Sequence, residues 1–360
     1  MSDLIEKVDS KINQVRTSSL DISFNELLDM YQSEELIISP DYQRLFRWSE
    51  EKQSRFIETL ILELPLPPIF VIEIEEGKYE LIDGLQRISS YLHFRGALEE
   101  KGKLELIDCD IINELNGYSY DQFPKTLQIK LKRNFIRVEV LRKESDSTLR
   151  YHMFKRLNSG GEILSEQEIR NCTIRILNPK INNFIIDMSE YQEFKNTIEK
   201  ITHDELEKKK NEELILRFFT LKNSLDNYTS FKSLDEYLTY YMESVANDSI
   251  QFHYEEEQII FQKTFSILNN TLGENIFSTR LDEDRYGQNF VLYYYDGLIL
   301  GIQKYLDKII DFNNYQMLQD VFNEIKDDKK FYRARTGSKS NINTRIKIVE
   351  DKLETFFNDN

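Results

Sequence analysis

The fold of the first half of the chain is decided by one short stretch, Leu81-Ile82-Asp83-Gly84-Leu85-Gln86-Arg87. Two apolar residues typical of a buried strand lead through Asp-Gly directly into a helix, which we predict over residues 86–94. Such a junction directs backbone N–H groups and the positive end of a helix at one place, and this arrangement suits an anion. Asp83 can bind a metal ion or a proton, Gln86 can orient a water molecule, and Arg87 can grip a phosphate. Taken alone, the motif is explained more simply as an Asp-Gly turn with Arg87 in a surface salt bridge.

The neighbouring segments extend this pattern into a mixed domain. Residues 69–72 and 79–82 have the composition of strands, and the short polar turn between them predicts a hairpin. Upstream, Ser49 precedes apolar residues at helical spacing, and Pro65 ends that segment. Downstream, residues 135–140 alternate apolar and charged side chains, which predicts a strand with one solvated face.

The second half of the chain has a different pattern of apolar and polar residues. After about residue 175 the pattern is almost entirely helical, and Ser165 with Glu168 predicts a capping box at the start of a helix. We therefore predict an α+β fold with a mixed α/β domain over residues 1–175 and an all-helical domain over residues 176–360. The length of 360 residues also favours about two domains, since single cores stop growing near ~250–300 residues.

The composition excludes several protein classes. A content of 40% hydrophobic and 31% charged residues, with 12 Gly and 6 Pro, excludes collagen-like and strongly disordered chains. Cys109 and Cys172 form no CxxC pair or Cys/His cluster, so we expect neither a disulfide framework nor a structural zinc site. No apolar run approaches the ~18 residues of a membrane span, and charges occupy the place of a signal-peptide core. We expect a cytoplasmic protein without a membrane partner.

The net charge of −16 argues against a surface covered with nucleic-acid-binding charge. Two segments nevertheless are basic: residues 125–156 contain ten basic and three acidic residues, and residues 323–347 contain eight and three. In the second segment aromatic residues alternate with arginine, a pattern that suits a nucleic-acid backbone. We predict DNA contacts at Arg333, Arg335 and Lys339, with ordinary solvated faces as the open alternative.

Four motifs in order resemble a single family. In chain order they are Tyr42-Gln43-Arg44 with Trp48, Leu64-Pro65-Leu66-Pro67-Pro68-Ile69, Asp83-Gly84-Leu85-Gln86-Arg87, and Phe154-Lys155-Arg156-Leu157-Asn158-Ser159-Gly160-Gly161 with Ser165 and Glu168. Over about residues 20–175 the chain is similar to the N-terminal domain family of GmrSD-type modification-dependent restriction endonucleases. That family belongs to the ParB/sulfiredoxin-like superfamily.

The resemblance implies a ParB-like domain that binds and hydrolyses a nucleoside triphosphate (GTP, ATP or CTP) with Mg²⁺. It places catalysis at Asp83, Gln86 and Arg87, with Asp83 also as the metal ligand. The nucleotide-binding residues that it implies are Gln43, Arg44, Gly84, Asn158 and Gly160. One departure is Leu85, where the family commonly has a second Gln, and another is Leu45-Phe46-Arg47. These departures leave the choice of nucleotide open.

We therefore expect an NTP-dependent module of a prokaryotic restriction or anti-phage defence system that acts on or senses DNA. Many relatives carry an HNH-type nuclease domain, which needs a histidine cluster. In this chain the histidines are scattered, at His93, His152, His203 and His253. A nuclease partner protein is accordingly expected. The alternatives are a nucleotide-gated DNA-binding regulator without hydrolysis and a chain that cuts DNA through the same pocket.

Overall fold

The structure is a computed structural model that describes residues 4–5, 17–38, 46–98, 101–142, 165–283 and 285–360. The chain divides into two compact units, Met1–Ile163 and Leu164–Asn360, called here the N-terminal and C-terminal units. The boundary predicted from the sequence, residue 175, lies instead within the first helix of the C-terminal unit.

A five-stranded mixed sheet forms the centre of the N-terminal unit. Its strand order is β1-β5-β3-β4-β2. The pairs β1/β5 and β3/β4 are antiparallel, whereas β3/β5 and β2/β4 are parallel. The strands are β1 (Thr17–Ser23), β2 (Leu36–Ile37), β3 (Ile69–Glu75), β4 (Lys78–Asp83) and β5 (Phe135–Leu141). The predicted hairpin is confirmed, because β3 and β4 pair across a turn that brings Glu75 opposite Lys78.

Helices accompany the sheet and supply many of the other buried apolar side chains of this unit. They are α1 (Phe24–Gln32), α2 (Glu50–Ile61), α3 (Leu85–Phe94) and α4 (Lys125–Arg133). The helix predicted after Ser49 is α2, which ends before Pro65, as a proline requires. The rings of Phe24 and Tyr91 lie 4.9 Å apart and join α1 to α3. Leu60 and Leu92 are fully buried in the same core, and burial of such a side chain contributes about 1.5–3 kcal/mol.

The C-terminal unit is mostly helical, and the predicted α+β class is confirmed. Outside its helices an isolated bridge pairs Arg280 with Tyr286. The predicted capping box is present, since Ser165 Oγ accepts from the Glu168 N–H at 3.2 Å and Glu168 Oε2 accepts from the Ser165 N–H at 2.7 Å. The helices are α5 (Glu166–Leu177), α6 (Lys180–Ser189), α7 (Gln192–Thr197), α8 (His203–Glu207), α9 (Lys210–Ser224), α10 (Leu234–Ala246), α11 (Tyr254–Leu272), α12 (Leu292–Gly301), α13 (Leu306–Phe312), α14 (Tyr315–Asp327), α15 (Lys329–Arg333) and α16 (Lys339–Asp359).

Aromatic side chains fill the core of this unit. Phe218 of α9 lies 5.6 Å from Phe261 of α11, measured between ring centroids, and Phe261 lies 4.5 Å from Phe265. All three rings are fully buried. Of the helices in the described ranges, none combines the length and the apolar character that a membrane crossing requires.

Candidate functional site

The junction between β4 and α3 consists of a single residue, Gly84. Its φ of +101° lies in the left-handed region that L side chains rarely adopt. A Cβ atom at this position would also stand 2.3 Å from Ile69 Cγ2. The glycine is therefore required by backbone conformation and by its close approach to β3, and this requirement holds whether or not a ligand binds.

Arg87 joins the junction to the proline-rich segment that precedes β3. Its Nη2 donates to Asp83 Oδ2 at 2.9 Å. Its Nη1 donates to the Pro68 carbonyl at 3.2 Å and also to the Pro67 carbonyl. The Arg87 side chain is only 14% exposed, and that of Asp83 is 31% exposed. Arg87 thus forms a salt bridge, as the simpler interpretation expects, but its partner is Asp83 and the pair is mostly buried and not on the open surface.

Asp83 carries a carboxylate at the positive end of α3. Burial raises the pKa of this carboxyl above its ordinary value, and the opposing effects of the Arg87 charge and the Gly84 N–H do not cancel the rise. A half-buried carboxylate with a perturbed pKa beside an arginine is typical of functional sites. Burial therefore favours the protonated form of Asp83 more than in an exposed carboxyl.

Gln86 connects the junction to the segment that precedes α2. Its Oε1 accepts hydrogen bonds from the N–H groups of Arg47 and Trp48, each at 3.0 Å. A carboxamide oxygen has two lone pairs, and both are engaged here. Gln86 can therefore orient a water molecule through its amide nitrogen, not through its oxygen.

The junction thus brings together parts of three of the four sequence motifs. Gln86 contacts the end of the first motif at Trp48, Arg87 contacts the second motif at Pro67 and Pro68, and both belong to the third. The other predicted site residues of the N-terminal half lie outside the described residues. They are Gln43, Arg44, Asn158 and Gly160.

Two further polar residues support this site and were not predicted from the sequence. Gln53 Nε2 donates to the Trp48 carbonyl at 2.6 Å, and Gln53 Oε1 lies 2.8 Å from His93 Nδ1. Gln53 is 1% exposed and His93 is 5% exposed. A signal for Gln53 was available, because it shares the helical spacing of the buried Phe56 and Leu60, where a polar residue needs a hydrogen-bonding partner.

The residues at the junction fit a magnesium ion that arrives with a nucleotide. In the described ranges, no three His, Cys, Asp or Glu side chains are grouped to hold a metal ion. Mg²⁺ usually takes one or two protein carboxylates and completes its shell with phosphate oxygens and water. Asp83 alone can supply the protein ligand for such an ion, whereas it could not hold a permanent structural metal.

The basic segment near the C-terminus forms a second candidate site, at the loop that joins α15 to α16. Arg333 and Arg335 are exposed, and Arg335 Cζ lies 5.0 Å from the centre of the Tyr332 ring. Lys339, also predicted to contact DNA, is instead bound to Asp226: its Nζ lies 2.8 Å from the Asp226 carbonyl and 3.1 Å from the carboxylate. Arg333 and Arg335 are therefore the exposed cations of the predicted set.

Two other cations of that segment are buried and serve the fold. Lys326 Nζ donates to the Ile276 carbonyl at 2.8 Å. Arg345 is fully buried and its Nη1 donates to the carbonyls of Ala334 and Thr336, the latter at 3.0 Å. Because these two carbonyls flank Arg335, the buried Arg345 fixes the backbone that presents the exposed arginine.

Arg345 is balanced by a buried carboxylate that it shares with a second arginine. Arg345 Nη2 lies 3.3 Å from Asp296 Oδ2. Arg217 Nε and Nη2 donate to the two oxygens of Asp296 at 2.5 and 2.7 Å. The three side chains connect α9, α12 and α16 in the interior of the C-terminal unit.

Three of the six basic residues that the structure describes in the basic segment of the N-terminal half form ion pairs, and one of the three is Lys130 with Glu63 at 3.6 Å. Arg137 pairs with Asp21 at 3.0 Å, and Arg142 pairs with Glu73 at 3.2 Å. Residues 143–156 of this segment lie outside the described ranges. The described part therefore offers less free positive charge than its composition suggests.

Comparison with known proteins yields one family. Residues 24–175 match the model of the family described as "GmrSD restriction endonuclease, N-terminal domain". The match begins at α1 of the N-terminal unit and ends in α5, the first helix of the C-terminal unit. No curated protein and no solved structure matches the chain. The predicted resemblance is confirmed: residues 24–175 of this chain are similar to the N-terminal domain of GmrSD restriction endonucleases.

Proposed function

We propose that this chain is a component of a DNA restriction system that binds and hydrolyses a nucleoside triphosphate at the junction between β4 and α3. The observation that carries the proposal is the convergence of the Asp83, Gln86 and Arg87 side chains with the ends of two other motifs. The family match supplies the link to restriction. Hydrogen bonds among three separated segments are more than a local Asp-Gly turn requires, and this supports the proposal.

The triphosphate would lie against the N-terminus of α3. Helix N-termini attract phosphate because their N–H groups and dipole are positive. Arg87 would interact with developing negative charge on the phosphates, and it would exchange its Asp83 contact for the nucleotide. Gln43 and Arg44 belong to the proposed contacts through the family resemblance, as do Asn158 and Gly160.

A magnesium ion bound at Asp83 would neutralise phosphate charge when the nucleotide is present. The raised pKa of Asp83 would fall again beside such a cation, because an opposite charge favours the carboxylate. The amide nitrogen of Gln86 would orient the attacking water. Gly84 would let α3 start at the end of β4 without a side chain in between.

DNA would contact the exposed Arg333 at the end of α15 and Arg335 in the loop between α15 and α16. Arg335 stands on a backbone that the buried Arg345 holds from inside. A cation on a backbone that is already fixed binds DNA phosphates more tightly, because binding costs little conformational entropy of the loop. A partner nuclease would complete the system.

The test measures phosphate release from GTP, ATP and CTP with Mg²⁺, with and without DNA. Wild type should turn over at least one nucleotide, and Asp83→Ala and Arg87→Ala should reduce the rate at least about a hundredfold, as for groups that stabilise transition-state charge. The control is Gln128→Leu, which removes an amide that donates to the Tyr120 and Phe123 carbonyls elsewhere in the unit. No turnover by wild type under any condition would contradict the hydrolysis.

A second candidate is a nucleotide-gated DNA-binding regulator that does not hydrolyse its ligand. One observation favours it: the oxygen of Gln86 is engaged by the 47–48 backbone and cannot accept a proton from water. In this case nucleotide would bind in calorimetry and change DNA affinity, while phosphate release would stay at the background rate.

A further inference from the structure

The peptide groups of Arg47 and Trp48 are held by side chains from two different helices. Gln86 of α3 accepts from both N–H groups at 3.0 Å. Gln53 of α2 donates to the Trp48 carbonyl from the other side at 2.6 Å. Three backbone groups of this segment thus depend on two glutamine side chains instead of on a helix or a sheet.

The orientation of the Gln53 amide follows from its contact with the Trp48 carbonyl, and it determines which nitrogen of a buried histidine is protonated. The Trp48 carbonyl can only accept, so the nitrogen of Gln53 faces it and the oxygen faces His93 Nδ1 at 2.8 Å. His93 Nδ1 must therefore carry a proton. Burial lowers the pKa of His93, and the Lys101 charge lowers it further. Gln53 and His93 are almost completely buried, so water cannot replace a lost hydrogen-bonding partner. A reversed Gln53 amide would therefore leave the Trp48 carbonyl without a donor.

We propose that Gln53 and Gln86 form a two-sided clamp, defined by their amide groups, that positions the Arg47-Trp48 peptide beside the nucleotide site. The inference rests on the proposed function, because it makes Gln53 a positioning residue for the nucleotide. Gln53 does not touch the Asp83–Arg87 pair in the described contacts; it acts through Trp48 and Gln86.

The clamp can be observed directly because Trp48 is the single tryptophan of the chain. Its ring lies 6.0 Å from that of Phe56 and is partly buried. Acrylamide quenching of tryptophan fluorescence, measured without nucleotide, therefore reports on this segment alone. Gln53→Leu should raise the quenching constant about twofold or more, towards the value of an exposed tryptophan, because Trp48 loses a buried hydrogen bond.

A second variant keeps the proposal testable if Gln53→Leu folds poorly. Gln53→Glu has the same shape and, in its ionised form, can still accept from His93 but cannot donate to the Trp48 carbonyl. It should raise quenching as Gln53→Leu does. The matched control is Gln128→Leu, whose amide also donates to two backbone carbonyls in this unit. This control should leave Trp48 quenching unchanged.

Calorimetry with ATP, GTP and CTP in the presence of Mg²⁺ completes the test. Both Gln53 variants should weaken nucleotide binding roughly 3- to 10-fold, the loss expected for about one hydrogen bond. Gln128→Leu should bind as wild type does. Wild type that binds no nucleotide would overturn the proposed function, while quenching would still decide whether the clamp exists. Wild type that binds nucleotide, with Gln53 variants that match it in affinity and quenching, would overturn the clamp alone.

Discussion

Gly84 and Ile69 are packed so closely that the space for a side chain at position 84 is already filled by the Ile69 Cγ2 atom, 2.3 Å from an added Cβ. We expect Gly84→Ala to destabilise the N-terminal unit by about 2–5 kcal/mol. About 1–2 kcal/mol of this comes from the positive φ and about 1–3 kcal/mol from overpacking. Urea unfolding followed by circular dichroism measures the change.

Gly77→Ala provides the control for backbone strain. Gly77 also has a positive φ, +76°, but nothing lies within 4 Å of an added Cβ. The stability of Gly77→Ala should fall only by the cost of backbone strain, about 1–2 kcal/mol. Equal losses for the two variants would show that the contact between Gly84 and Ile69 does not constrain the junction.

Asp83→Asn should change the pH dependence of stability. Burial raises the folded-state pKa of Asp83, so its ionised form is less favourable in the folded protein than in the unfolded chain. The contribution of Asp83 to stability is therefore full below its ordinary pKa of about 3.9. It is lost as the pH rises through the higher folded-state pKa.

We thus expect wild type to lose stability relative to Asp83→Asn as the pH rises above about 4, and the difference to level off above the folded-state pKa of Asp83. Urea unfolding of both proteins between pH 4 and 8 measures it. An Asn variant that becomes progressively less stable than wild type with rising pH would mean that the carboxylate stabilises the fold, contrary to a functional role.

Local patterns were sufficient to predict much of the fold. The hairpin of β3 and β4, the helix after Ser49 and the capping box of Ser165 follow from spacing and turn chemistry within a few residues. The junction at Asp83 and Gly84 was also predicted. These features depend on neighbours in sequence, which propensity and periodicity describe well.

The features that the sequence did not predict depend on contacts between residues that are far apart in the sequence. Arg345 lies in a basic segment and counts as a surface cation in the sequence, yet it is fully buried against Asp296, 49 residues earlier. Gln53 and His93 are 40 residues apart, and no local pattern in the sequence reveals the pair. Composition cannot distinguish an exposed cation from a buried one whose partner lies in another helix.

Charge reversal at the end of α15 and in the loop that follows it should weaken DNA binding. We expect Arg333→Glu and Arg335→Glu to lower DNA affinity and to reduce the slope of log K against log salt by about 0.9 for each DNA phosphate that the variant no longer neutralises. Fluorescence anisotropy with labelled DNA over a range of salt concentrations measures both quantities. Lys308→Glu, on the exposed surface of α13, is the control and should change the slope less. Equal slopes for all variants would show that Arg333 and Arg335 belong to an ordinary solvated surface that does not bind DNA.

Arg345→Met should destabilise the C-terminal unit by about 1–3 kcal/mol, because the Ala334 and Thr336 carbonyls lose their buried donor. Arg217 and Asp296 remain as a balanced ion pair in this variant. Lys347→Met, at an exposed position of the same helix, should change stability by less than about 0.5 kcal/mol. Denaturant unfolding of both variants makes the comparison, and similar small losses would mean that Arg345 does not anchor the loop.

The central claim is that a nucleoside triphosphate binds where β4 meets α3. Isothermal titration calorimetry of the full chain with GTP, ATP and CTP in Mg²⁺ tests it most directly, with Asp83→Asn and Arg87→Lys as variants. Arg87→Lys keeps the charge but not the paired hydrogen bonds. We predict that wild type binds at least one nucleotide and that both variants bind it at least about tenfold more weakly. Wild type that binds none of the three, or variants that bind as tightly as wild type, would contradict the claim.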